Sequence, residues 1–520
     1  MNIPGLTASC SCHFLAVRSP RVHELLPIWF RECTPKILVI TDNLNYNALS
    51  DFGLTRFVDA LRASTIHSMT PIVRTARYVP GAAAPASLDA ATQHISNFQF
   101  ADAQHGLLKS RYDAVFLLAI NREGSPGLAQ EPAAMSAITT FMQQGGGLFA
   151  TGDHEDLGAA MCMTIPRVRA MRRWAAADTP NGANTSRLST NLAGANDVYE
   201  FNDQADALPQ RLYVNYRTQA GGVGLGHPVL QVPGTVPPRA IEVFPDHPHE
   251  GECLLPTALN TKLPDGLTDE WPSQTGGGAR VVPEAIALTV SHGDNFGSKA
   301  ALAPRSFIPI SAYDGQRADV GRVVTDATWH HFVNINLISL AGRNLSDVKQ
   351  YYTNLATWLM PKHVRRCSRW PLLVLELVRY PLFEEFKAIP IDKIDGRELR
   401  DSGALVEQAL LQRHSAAVVQ AVMDDALDEA LGAKGLRALA DYSKRFGEVS
   451  ARDTGLAALA GMAQAAVDTA NSIDEREKKD ALDLFEKAGA KAARAAVLRY
   501  LSDARKELRM LDDVLGTMLH

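Results

Sequence analysis

Cysteine is scarce in this chain, with six residues in 520: Cys10, Cys12, Cys33, Cys162, Cys253 and Cys367. Their spacing is not that of a disulfide framework, and no charged-then-apolar leader opens the sequence, so a reducing cytoplasm is the expected compartment. Cys10, Cys12 and His13 make half of a zinc pattern, but no second Cys/His pair follows nearby, and free thiols are expected there. Long apolar runs are also missing. The most membrane-like stretch, Trp370 to Val378, contains Glu376 and falls far short of the roughly 20 residues of a spanning helix, which excludes a membrane partner. Basic charge is not in excess either. With a net charge of −5 the chain has no global field to attract nucleic acid. The local runs Arg167, Arg169, Arg172, Arg173 and Lys362, Arg365, Arg366 read as solvated helix faces and a linker.

What is present is a globular composition, 46% hydrophobic and 21% charged, long enough for roughly two to four folding units. Residues 1–35 show no sustained period and read as a lead-in. From Lys36 to about residue 360, short apolar runs alternate with helical patterns, as crossover units of a mostly parallel sheet do. The expected strands are Lys36 to Thr41, Pro71 to Tyr78, Tyr112 to Ala119, Leu148 to Thr151, Arg239 to Phe244, Ala285 to Val290, Ser306 to Ala312 and Gly321 to Ala327. Helices are expected at Leu54 to Ala63, in the stretch after an Ala/Pro-rich loop at 80–87, at Pro132 to Gln144 and at Ser346 to Leu359. Residues 178–235, rich in Asn, Gly and Thr, read as an inserted loop system. Beyond Pro361 the composition turns to Ala, Leu, Glu, Lys and Arg with helical periodicity, which predicts an all-helical region over 361–520.

Ligands of an open parallel sheet bind beyond the carboxyl ends of its strands, so the residues just after each predicted strand carry the functional signal. The first strand ends in Asp42-Asn43. Leu148 to Thr151 leads into Gly152-Asp153-His154-Glu155-Asp156, Arg239 to Phe244 into Pro245-Asp246-His247-Pro248-His249-Glu250, and Gly321 to Ala327 into Thr328-Trp329-His330-His331. Carboxylates and neutral imidazoles together suit a divalent metal (zinc, manganese or iron) that activates water, with Asp153, His154, Asp246, His247, His249 and His330 as ligands. Without metal the same groups suit acid–base catalysis by Asp153, His154, His330 and His331. A purely structural use is also open: Asp153 as the cap of a following helix, with Glu155 and Asp156 on its positive end. The run Gly221 to Gly226 lacks the Lys-Ser/Thr of a phosphate loop, and Ser291-His292-Gly293-Asp294 lacks a nucleophile elbow.

The order of these pieces, with Ile138 to Gln144 ending in Gly145-Gly146-Gly147 before Leu148-Phe149-Ala150, then Gly226-His227-Pro228-Val229, Gly321 to Val324 and a closing helix with Trp358, resembles the trehalose-utilisation (ThuA-like) family. That family lies within the class I glutamine amidotransferase-like superfamily. The resemblance covers roughly residues 36–360 and implies a flavodoxin-like open α/β sheet. In the glutaminases that this superfamily includes, a cysteine follows the strand matching Leu148 to Thr151 and a histidine follows the last strand. Here the turn reads Gly152-Asp153-His154, so a cysteine glutaminase is not expected, while His330 or His331 fills the histidine position. The expectation is a cytoplasmic hydrolase, metal-assisted or not, acting on a small polar substrate, with Asp42, Asn43, Asp156 and Glu250 near the site. The competing expectation is a silent sensor or scaffold that assembles with itself or a protein partner through residues 361–520.

Overall fold

The computed structural model describes residues 33–82, 86–153, 156–174, 209–218, 224–235, 238–245, 251–275, 278–291, 305–338, 340–380, 382, 386, 393–446, 451–473 and 477–518. The predicted positions His154, Asp246, His247, His249 and Glu250 lie outside them, as do Cys10, Cys12, His13, His292 and much of the 178–235 insertion.

A mostly parallel nine-stranded sheet organises the first part. Its strands are β1 (Lys36–Thr41), β2 (Ile72–Tyr78), β3 (Ser87–Asp89), β4 (His94–Phe98), β5 (Ala114–Leu118), β6 (Gly147–Thr151), β9 (Glu284–Ala285), β12 (Ile310–Tyr313) and β13 (Val323–Asp326). They lie in the order β9-β12-β13-β6-β5-β1-β2-β4-β3. The six from β13 to β4 are parallel, and β3, β12 and β9 pair antiparallel at the margins. All five residues of β5 and of β6 are buried, which is why these strands read as unbroken apolar runs.

Helices cover both faces. On one, α1 (Thr55–Arg62) and α6 (Gly342–Leu359) set Phe57, Val58, Leu61, Val348 and Leu355 against Ile37, Val39, Phe116 and Phe149. On the other, α2 (Pro132–Gln143) sets Ile138, Phe141 and Met142 against Leu38, Ile40, Val115 and Leu148. Short helices α3 (Ala159–Cys162), α4 (Val168–Met171) and α5 (Asn334–Ile338) lie in the connections.

Several expectations are corrected. The stretch after 87 is a hairpin, β3–β4, and not a helix; Gln93 and Asn97 take left-handed φ of 56° and 51° there. Three predicted strands are each broken in two. Val243–Phe244 (β8), Ala287–Ser291 (β10) and Arg305–Phe307 (β11) join β7 (Gln210–Val214) in a separate four-stranded antiparallel sheet, ordered β8-β7-β10-β11. The chain changes sheets at Ile286 and at Pro309, where proline has no N–H to continue a ladder. Residues 246–250 therefore do not follow a strand of the main sheet.

Beyond Pro361 the described chain is all helical: α7 (Lys362–Arg379), α8 (Gly396–Leu411), α9 (Ala416–Phe446), α10 (Ala451–Ser472) and α11 (Ala481–Met518). Alanines 457, 458, 460, 463, 466 and 470 of α10 are buried among Leu399, Val406, Val419, Met423, Phe485 and Val497. Backbones approach closely here, since a Cβ on Gly403 would lie 1.9 Å from the Leu456 carbonyl oxygen.

The reading of the basic runs as solvated is corrected for some of their residues, and one disulfide is present that the cysteine spacing does not suggest. Arg167 and Arg172 are not solvated but buried at 0% and 1% exposure, and Arg365 is half-buried, with desolvation pushing its guanidinium down to about 10. Cys33 and Cys367 form a disulfide that ties the entry to β1 to α7. No helix among the described residues is long and apolar enough to cross a membrane.

Candidate active site

The carboxyl ends of β6 and β13 are neighbours, and their pairing continues past the strands, where the Trp329 N–H donates to the Gly152 carbonyl at 2.9 Å. This brings Asp153 and the Thr328–His331 turn together. The Thr328 hydroxyl donates to Asp153 Oδ1 at 2.6 Å and accepts the His330 N–H at 3.0 Å, capping the turn Trp329–His331. The His330 ring closes the loop: Nε2 stands 3.6 Å from Asp153 Oδ2, and Nδ1 lies 2.9 Å from Asn336 Oδ1. Trp329 stacks on the imidazole with ring centroids 4.4 Å apart, and Phe52 meets it edge-on with centroids 6.2 Å apart, so the ring has neighbours on four sides. Asp153 is 1% exposed and His330 8%, which makes His330 the member that solvent reaches.

Position 152 must be glycine, because a Cβ there would lie 2.2 Å from the Leu157 carbonyl oxygen. Below this turn sits Arg172, which the sequence marks only as part of a basic run and not as a site residue. Its guanidinium donates to the carbonyls of Asp153 (2.6 Å), Ala327 (2.7 Å) and Asp326 (3.2 Å), and it stacks on Trp174 at 4.5 Å. One buried cation thus satisfies the backbone acceptors that two parallel strands leave at their ends.

The other predicted residues go elsewhere. His331 is fully buried; its Nδ1 meets Asp326 Oδ1 at 2.7 Å, and Tyr351 donates to the other oxygen at 2.6 Å. Asp156 accepts from Arg122 at 2.6 Å and from the Glu123 N–H. The capping expectation for Asp153 is corrected, since the helix begins only at Ala159, with Gly158 before it. Asn43 accepts from Arg77 at 3.0 Å. Asp42 accepts the Ile120 and Asn121 N–H groups at 2.8 and 3.1 Å, and burial pushes its carboxyl up to about 6 against the lowering effect of those bonds. It fills the crevice between β1 and β5, where strand order reverses and a ligand of such a sheet would bind, with the protein's own carboxylate.

No group of three or more His, Cys, Asp or Glu able to hold a metal occurs among the described residues. Asp153 Oδ2 and His330 Nε2 do fit as one pair of ligands, because donors at 2.0–2.2 Å from a tetrahedral ion lie about 3.4 Å apart. Among the described residues a thiolate is not at hand. Cys162 and Cys253 are buried, and burial raises both thiols, that of Cys253 to about 12. A cavity of about 920 Å³ lies on the far side of the β1–α1 loop from this cluster, and neither Asp153 nor His330 lines it.

No family model matches the chain, and neither does any curated protein or solved structure.

Proposed function

We propose that the chain is a hydrolase in which Asp153 and His330 form the acid–base couple, at the position where a cysteine glutaminase has its nucleophile and histidine. The observation that carries this reading is the closed ring Asp153–Thr328–His330, held from behind by Asn336 and Arg172. With Nδ1 anchored on Asn336, Nε2 is the atom that takes a proton from water; the hydroxide so formed attacks the electrophilic centre of the substrate, and the imidazolium returns the proton to the leaving group. Asp153 stabilises the ring while it carries the charge. A divalent ion, when bound, would be held by Asp153 and His330 and would supply a more acidic water.

The finer fold assignment belongs to the same proposal. Strands β2-β1-β5-β6-β13 run second, first, third, fourth, fifth among the five, the flavodoxin-like order, which supports the glutamine amidotransferase-like reading. The cytoplasmic assignment is part of the proposal too, and it rests on the scarcity and spacing of the cysteines.

The test is turnover of a panel of activated esters, amides and glycosides by purified protein, with metal content measured alongside. Loss of turnover in His330→Ala is expected. A metal content below roughly a tenth of an equivalent, unchanged after adding zinc or manganese, removes the metal-assisted form. One observation favours the second reading, a ligand-binding protein without turnover: a cavity of about 920 Å³ lies away from Asp153 and His330. In that case no substrate in the panel is turned over.

A further inference from the structure

The β3–β4 hairpin stands where a doubly wound sheet would have a crossover helix, and this leaves the α1 face of the sheet open at its β2–β4 end. On that face the residues under helices are apolar, namely Ile37, Val39, Phe116 and Phe149, whereas those at the open end are Thr75, Arg77 and His94. A polar floor alone would be an ordinary solvated surface. Here it lies at the bottom of a cleft of about 920 Å³, within the range of small-molecule sites.

The cleft is built from parts held in place before any ligand arrives. His94 Nδ1 meets the Thr75 hydroxyl at 3.0 Å, and Tyr46 sets its ring edge on His94 at 5.4 Å while its hydroxyl donates to the Val39 and Ala76 carbonyls. In the β1–α1 loop, Asn45 and Asn47 hold the N–H groups of Asn47 and Leu49, and Asn45 donates to Ser50. Arg62 of α1 reaches the Thr92 carbonyl at 3.1 Å and so fixes the opposite wall, where Gln93 is kept in a left-handed conformation. Residues in that region of backbone space tend to cluster where a ligand is held.

Charge selects the ligand. Two guanidiniums, Arg62 and Arg77, line the cleft against one lining acid, Asp59, which lies 4.0 Å from Arg62; His94, opposite Asp89 in the hairpin, is pushed toward its neutral form by burial and offers a ring N–H rather than a charge. Arg77 is exposed and its side chain bonds Asn43, a neutral group. A cationic cleft in a chain of net charge −5 is a local feature. Guanidinium forks match phosphate oxygens, and the amide side chains around them suit hydroxyl or base edges.

We propose that this cleft binds a small phosphomonoester, its phosphate on Arg77 and His94 and its polar body between Tyr46 and α1. The site is separate from the Asp153–His330 couple and stands whether or not that couple turns over substrate.

The test is calorimetric titration of the full chain with AMP, glucose 6-phosphate and inorganic phosphate, set against adenosine and glucose. At least one organic phosphate should saturate below about 1 mM, about tenfold tighter than its unphosphorylated twin. Arg77→Ala should weaken it by about tenfold or more, Arg77→Lys should recover part of the loss, and His330→Ala should leave it unchanged. Thermal unfolding of each variant controls for folding, and Thr75→Val with His94→Gln probes the floor independently. The choice between AMP and glucose 6-phosphate reports the nature of the polar body. No saturation by either ester up to about 10 mM, equal binding of phosphorylated and plain compounds, or wild-type affinity in Arg77→Ala each overturns the proposal.

Discussion

The two concave regions of this sheet differ in their surroundings. At the ends of β6 and β13, Asp153 and His330 are braced by their neighbours and almost closed to water, whereas at the β2–β4 edge a roomy cleft with a polar floor stands open. The first has chemistry and little space, the second space and no nucleophile. The difference follows from connection type. Where strands are joined by helices, the layers pack down and buried polar groups must find partners inside; where a hairpin replaces the helix, the sheet face keeps its polar residues for solvent or a ligand. The β1–α1 loop joins the two, with Asn45 and Asn47 at the cleft and Phe52 over His330.

The largest effect should separate the two regions by stability. Arg172→Met leaves the carbonyls of Asp153, Asp326 and Ala327 without their donor and should lower the unfolding free energy by about 3–5 kcal/mol in urea titration. Arg77→Ala at the cleft should change it by no more than about 0.5 kcal/mol. Equal costs would erase the contrast.

Asp42 gives the next test. Its carboxyl is raised by burial from 3.8 to about 6, so the folded state binds that proton more tightly than the unfolded state does. The resulting stabilisation is complete below pH 3.8 and lost as pH rises through 6, a change of about 3 kcal/mol. Asp42→Asn should remove that component from the difference in stability between pH 4 and pH 7, while variants at the cleft leave it in place. Identical pH profiles for wild type and Asp42→Asn would contradict a buried, proton-binding plug.

Phe52→Ala should have the smallest energetic effect, about 1 kcal/mol or less, because the ring is already 43% exposed. It uncovers one side of His330, so acylation of that ring by diethyl pyrocarbonate, followed by mass spectrometry, should speed up. An unchanged rate would mean that Phe52 does not limit access.

The core of the sheet is legible in the sequence and its margins much less so. β1, β5 and β6 stand out because strands buried on both faces are apolar throughout, and the Gly145–Gly147 stop and Pro361 mark real ends. The β3–β4 hairpin reads as a helix because its left-handed residues are Gln93 and Asn97, not glycine. The sheet changes at Ile286 and Pro309 are hidden for another reason: each pair of halves runs on with only one or two residues between, and Ile286 itself is apolar and buried like its strand neighbours. Asp153 and His330 emerge through the rule that sites follow strand ends. Arg172 does not, because its partners are backbone carbonyls, which carry no sequence identity, and a charge pattern cannot tell a buried guanidinium from a solvated one.

The acid–base couple is tested most directly by a double-mutant cycle on turnover, with Asp153→Asn, His330→Ala and the two combined. Groups that act as one unit should give a double variant no slower than the worse single one, each single loss being about a hundredfold or more with unfolding still cooperative. Losses that simply multiply, or turnover that survives both changes, would show that Asp153 and His330 do not work together.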